Sequence, residues 1–259
     1  LKGGSAILKV RKLLVRFDSV CAVKSVSTDF EKGTLTAILG ANGSGKTTLL
    51  KAIAGLVPVT SGRIVYLGED ITGLPPHERV RKGIQYIPDR ARVGLNMSVE
   101  ENLIIGGYLR KSSEVRDALG KVYELFPDLA EMRKEPAGVL SGGQRQMLVI
   151  GRALVSSPKV MLFDEPFLGL SHATRERVAA LLLELKRSGV TLIVAEHDVD
   201  EIMPVADVYK VFLSGELVME GFGGSLEEAG RLKRQFRKYY GSGRSCGEKE
   251  AGGGKKGNS

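Results

Sequence analysis

The sequence predicts an α/β fold built on a parallel sheet, and three observations point to it. First, the run Gly40-Ala41-Asn42-Gly43-Ser44-Gly45-Lys46-Thr47 fits the pattern G-x-x-x-x-G-K-[ST], between the apolar segment Leu35–Leu39 and a helix-like segment at 48–55. Second, residues 160–163 and 191–195 are apolar at nearly every position, as strands covered on both faces are. Third, the pattern turns helical between about 89 and 157, so the strand-bearing parts flank a helical insertion.

In chain order, residues 6–39 read as alternating strands with a turn at Glu31-Lys32-Gly33. The last strand feeds the glycine-rich run, whose glycines leave the backbone free to curl with its N–H groups around a phosphate. The helix that follows adds its positive end to the same anion. Lys46 can then reach the β- and γ-phosphates, and the Thr47 hydroxyl is placed for Mg²⁺. The nucleotide-binding set here is Gly40, Asn42, Gly43, Ser44, Gly45, Lys46, Thr47 and Thr48. These residues define a nucleoside-triphosphate site of the P-loop NTPase class.

Next come a strand at 63–67, the helical stretch 76–82 and a strand at 84–87. Ser98 and Glu101 have the spacing of a capping box, and 114–126 is amphipathic. Ser141 and Gln144 repeat the capping-box spacing ahead of a helix over about 142–156, with Pro158 beyond. The apolar run 160–163 ends in Asp164 and Glu165, and 191–195 ends in Glu196-His197-Asp198. Ligands bind at the carboxyl ends of parallel strands, so these side chains emerge where the phosphates sit.

The run Leu140-Ser141-Gly142-Gly143-Gln144, with the phosphate loop before it and the acidic strand after it, resembles the ATPase domain of ABC (ATP-binding cassette) proteins over roughly residues 6–240. The resemblance implies a RecA-like core at about 1–88 and 158–224, with an antiparallel β subdomain, a helical subdomain at about 89–157 and a C-terminal helix at 225–240. It implies that Asp164 holds Mg²⁺, that Glu165 is the catalytic base and that His197 is the switch histidine at the γ-phosphate. Ser141, Gly142, Gly143 and Gln144 become the signature that meets the nucleotide of a partner, and 167–171 a loop touching that partner. Phe17 lies where the family stacks an aromatic on adenine, although it shares a strand face with Val15 and so also fits a core phenylalanine. Asp89 stands where most members carry Gln as a metal and water contact that also senses the membrane partner. Its side chain ends one bond, about 1.5 Å, short of that reach, which favours contact through water.

The chain has 259 residues, enough for a large core, and only two cysteines, Cys21 and Cys246, which make no disulfide framework. Reduced thiols, no apolar run near the roughly 20 residues of a membrane span and no signal peptide ahead of the first strand predict a cytoplasmic protein. The chain opens at Leu1, so a true N-terminus beyond it is expected. From Arg231 onward nine basic residues stand against Glu248 and Glu250, which places seven of the eight net positive charges at that end. A nearly neutral body argues against nucleic acid as a partner. Residues 241–259, rich in Gly, Ser and Lys, read as a disordered tail, suited to solubility or to anionic lipid head groups.

The stretches 97–103, 146–154 and 164–170 resemble the ATPase subunits of branched-chain amino acid importers, as does an acidic residue after Pro88. Phe167, in place of a small residue, and the basic tail depart from that pattern. The resemblance implies ATP and Mg²⁺ as cofactors, and a second ABC ATPase subunit, as homo- or heterodimer, sharing two ATP sites. It also implies a multi-span membrane permease, a solute-binding protein acting through that permease, and a location on the inner face of the cell membrane. The alternative is an ABC-type ATPase that works on soluble machinery without transport.

Overall fold

The apolar runs of the central strands feed two cores on opposite faces of one sheet. The computed structural model describes residues 5–89 and 92–224, and beyond them Glu227, Gly230, Arg231, Leu232 and Arg234. Expectations for 241–259 and for most of 225–240 fall outside the described residues.

Strands β1 (Ala6–Phe17), β2 (Val20–Glu31), β4 (Ser61–Tyr66) and β5 (Glu69–Asp70) form an antiparallel sheet in the order β2-β1-β4-β5. The central sheet runs β10-β9-β3-β8-β7-β6, from β3 (Leu35–Leu39), β6 (Ile84–Ile87), β7 (Val160–Asp164), β8 (Thr191–Glu196), β9 (Val208–Leu213) and β10 (Glu216–Phe222). Its pairings are parallel apart from β10, which lies antiparallel to β9. Along β3, β7 and β8 successive side chains go to opposite cores. Leu35, Ala37, Leu39, Met161, Phe163, Leu192 and Val194 join the helices of the 99–155 region. Ile38, Val160, Leu162, Ile193 and Ala195 join the antiparallel sheet and α1 (Lys46–Ala54). A strand buried on both faces has no polar position to spare, which is why these segments read as unbroken apolar runs.

The helices follow their local signals. Helix α1 stops where Gly55 takes a left-handed conformation, and α2 (Pro76–Lys82) ends the same way at Gly83. Both capping boxes form: Ser98 with Glu101 opens α3 (Val99–Ile105), and Ser141 with Gln144 opens α6 (Gly142–Val155). Between them lie α4 (Ser112–Leu125) and α5 (Pro127–Glu131). Helix α7 (His172–Arg187) is capped by Ser171, and the short α8 (Val199–Ile202) by Asp198. The strand expected at 63–67 begins earlier, at Ser61, and ends at Tyr66, because Leu67 turns to positive φ ahead of Gly68. Among the described residues no helix is long and apolar enough to cross a membrane.

Candidate active site

The phosphate loop joins the carboxyl end of β3 to the head of α1. Gly45, with φ of 104°, sits at that head, and no side chain caps the helix, unlike α3, α6 and α7. Its first amides are therefore left to a ligand. Ser44 Oγ is buried with no hydrogen-bond partner, an orphaned donor inside the loop. Gly40 and Gly45 are required by close backbone approach: a Cβ would stand 2.4 Å from the Phe212 carbonyl oxygen at Gly40 and 2.3 Å from that of Ala22 at Gly45. Lys46 is 4% exposed, and its Nζ donates to the carbonyls of Gly40 at 2.7 Å and Ala41 at 3.0 Å. Burial lowers its pKa, while Glu165, Asp164 and Glu196 push the other way.

Two strands deliver the carboxylates. Asp164 ends β7, where its Oδ1 accepts from Thr47 Oγ1 and its Oδ2 from Tyr86 Oη, both at 2.8 Å. Glu165 follows at φ of 47°, a left-handed conformation uncommon for a residue with a β-carbon, and turns away from the strand. Its Oε2 lies 3.8 Å from His197 Nδ1, and His197 stands just past the end of β8. Glu196 is buried, accepts from the Phe167 and His197 amides, and has its pKa pushed up to about 6 by that burial.

A cavity of about 320 Å³ gathers Asn42, Gly43, Ser44, Gly45, Lys46, Thr47, Thr48, Asp89, Asp164 and Glu165. Ala22 and Lys51 also line it; neither carried a sequence signal, since Ala22 is inert in type and Lys51 reads as an ordinary helix lysine. The donors at its floor, a hydroxyl and a carboxylate, are hard oxygens suited to a small divalent cation completed by phosphate oxygens and water. Ser141, Gly143 and Gln144 line a different cavity of about 280 Å³, with Asp128, Thr174 and Arg177, and Gly142 is on neither wall. Phe17 is 42% exposed at the end of β1, so the core alternative does not hold, and it lies outside the phosphate cavity. Phe167, by contrast, is buried in the core of the helical side.

A glycine-lined loop, an uncapped helix head, a buried lysine and a carboxylate pair at the ends of parallel strands define a P-loop nucleotide-binding ATPase. The family model described as ABC transporter matches residues 23–168. The chain is 38% identical to the high-affinity branched-chain amino acid transport ATP-binding protein BraG of Pseudomonas aeruginosa, over 85% of this chain and 94% of that protein. It is 36% identical to a probable branched-chain amino acid transport ATP-binding protein, LivF, of Archaeoglobus fulgidus, over 88% of this chain and 97% of that one. A crystal structure of an ATP-binding cassette of an ABC transporter in its ADP conformation superposes with a TM-score of 0.82 at 30% identity, covering 92% of this chain and 99% of that one. The chain belongs to the ABC transporter ATP-binding family and is an ATP-hydrolysing transporter subunit.

Proposed function

We propose that this subunit powers import of branched-chain or related amino acids through a separate membrane permease, working as a pair of ATPase chains that share two ATP sites. The observation that carries the paired arrangement is the separation of the phosphate loop and the signature into two cavities of one chain. A complete site then needs the signature of a second chain placed over the loop of the first. In that site Lys46 leaves the Gly40 and Ala41 carbonyls for the β- and γ-phosphates, and Ser44 Oγ gains a phosphate oxygen as its missing partner. Thr47 and Asp164 would hold Mg²⁺, which would neutralise phosphate charge. Glu165 accepts a proton from the attacking water as its oxygen bonds to the γ-phosphorus, and the bond to the ADP oxygen breaks. His197, beside Glu165, orients that water. Phe17, exposed at the end of β1, offers a face for adenine.

The exposed apolar side chains Ile104 and Ile105 on α3, Tyr108 just after it, and Leu95 with Val139 suit a hydrophobic segment of the permease. Amino acid import rests on the relatives' names, and no residue of an ATPase subunit touches the cargo. The test is to trap tagged Glu165→Gln with ATP in cells of the source organism and identify what co-purifies from membranes. A multi-span permease, a second ATPase subunit and a solute-binding protein are the expected catch. Soluble partners alone would refute transport.

A further inference from the structure

Asp164 is gripped from two sides. Thr47 Oγ1 donates to one carboxylate oxygen and Tyr86 Oη to the other, each at 2.8 Å. Tyr86 belongs to β6, which lies parallel to β7 in the register Tyr86 with Leu162, so its phenol reaches along the sheet end to a residue two places further on. We infer that Tyr86 is a positioning residue that tunes the metal selectivity of the site: by donating to Oδ2 and fixing the carboxylate, it weakens that oxygen as a second cation ligand, disfavours bidentate clasping by Asp164 and so favours Mg²⁺ over Ca²⁺. The inference rests on the reading of Asp164 as the cation-holding carboxylate.

The selectivity follows from coordination chemistry. Ca²⁺ takes six to eight oxygen ligands at about 2.3–2.6 Å and readily accepts a bidentate carboxylate. Mg²⁺ requires a near-ideal octahedron at about 2.0–2.1 Å and keeps several waters, so one carboxylate oxygen or a water-bridged contact serves it fully. A carboxylate with one oxygen engaged by a phenol offers Ca²⁺ a weaker second ligand, whereas Mg²⁺, served by one oxygen or a bridging water, loses little. Tyr86→Phe keeps the ring and removes the hydrogen bond to Oδ2.

The experiment uses the full chain with ADP, so that no turnover intervenes. Electron paramagnetic resonance follows bound Mn²⁺ in the wild type, Tyr86→Phe and Asp164→Asn while Mg²⁺ or Ca²⁺ competes. In Tyr86→Phe the Mg²⁺-over-Ca²⁺ preference should fall about tenfold, the scale of one hydrogen bond to a charged group. Most of that change should come from tighter Ca²⁺ binding, with Mg²⁺ affinity within about threefold of wild type. An unchanged ratio in Tyr86→Phe, with Mn²⁺ binding weakened in Asp164→Asn, overturns the inference and leaves Asp164 as the cation holder. Undiminished Mn²⁺ binding in Asp164→Asn overturns both. Where Tyr86→Phe does not fold, the Ca²⁺-minus-Mg²⁺ infrared difference spectrum of the wild type decides. A bidentate carboxylate band that vanishes in Asp164→Asn overturns the inference, and its absence from the wild type supports it.

Discussion

Glu196 ends β8 with a carboxylate that is 1% exposed, and its two oxygens accept from the Phe167 amide at 3.3 Å and the His197 amide at 3.0 Å. Burial raises its pKa from 4.5 to about 6, opposed by those two amides and by His197. A folded-state pKa above the unfolded one means that the native protein binds more protons in between. The associated stability is therefore fully present below pH 4.5 and is lost as pH rises through 6. The gap is worth about 2 kcal/mol in all. Integrated between pH 5 and 8, it gives about 1.2 kcal/mol. Glu196→Gln is neutral throughout, so its stability relative to wild type should improve by about 1.2 kcal/mol from pH 5 to pH 8. Urea unfolding of both proteins at both pH values measures this double difference, in which titrating groups remote from Glu196 cancel. A double difference at or below zero would refute the reasoning. Gln has a single acceptor oxygen where carboxylate has two, so the variant must also release one amide. Since those amides belong to the loop after Glu165 and to His197, turnover should fall even where stability rises.

Further outcomes follow from groups that bridge distant segments. Arg79, 2% exposed, donates to the carbonyls of Leu74, Ala52, Ile53 and Thr72 and closes the end of α1. Arg79→Met should cost about 3 kcal/mol in urea unfolding by stranding those carbonyls, and Arg79→Lys should recover less than half. A Cβ at Gly106 would lie 1.8 Å from the Arg152 carbonyl oxygen, so Gly106→Ala should force α3 away from α6 and cost about 3 kcal/mol. Fully buried Asn102 ties Gly94 and Ser98 through Gly94 N to Oδ1 at 2.7 Å and Nδ2 to the two carbonyls at 3.0 and 2.9 Å. Asn102→Ala should cost about 2 kcal/mol and speed proteolysis at 94–98. Asp89→Ala should impair transport in the assembled importer more than basal ATP hydrolysis, and equal losses would remove its coupling role.

What could be read in the sequence was what lies within a few residues of itself. The phosphate loop, the two capping boxes and the apolar runs of β3, β7 and β8 each depend on local spacing, so their chemistry shows in order along the chain. Tyr86 and Asp164 are 78 positions apart, and nothing in Ile84-Gln85-Tyr86-Ile87 marks its hydroxyl as a partner for a carboxylate. Arg79 carries the same deception in reverse: within a basic, polar helix it reads as a surface cation, yet the turn at Leu74 and the end of α1 enclose it. Phe17 shows why pattern alone leaves two readings open, because register shifts along β1 break the face it was expected to share with buried Val15. The signature helix is the deepest case. Ser141 does for α6 what any N-cap does, accepting from Gln144 N at 3.2 Å, and within one chain that bond explains the residue as a helix cap. Gly143 is tighter: a Cβ there would stand 2.9 Å from Thr174 Cγ2, so the glycine keeps the head of α6 close against α7. The phosphate loop, by contrast, holds an unpartnered Ser44 hydroxyl and a lysine resting on its own loop's carbonyls.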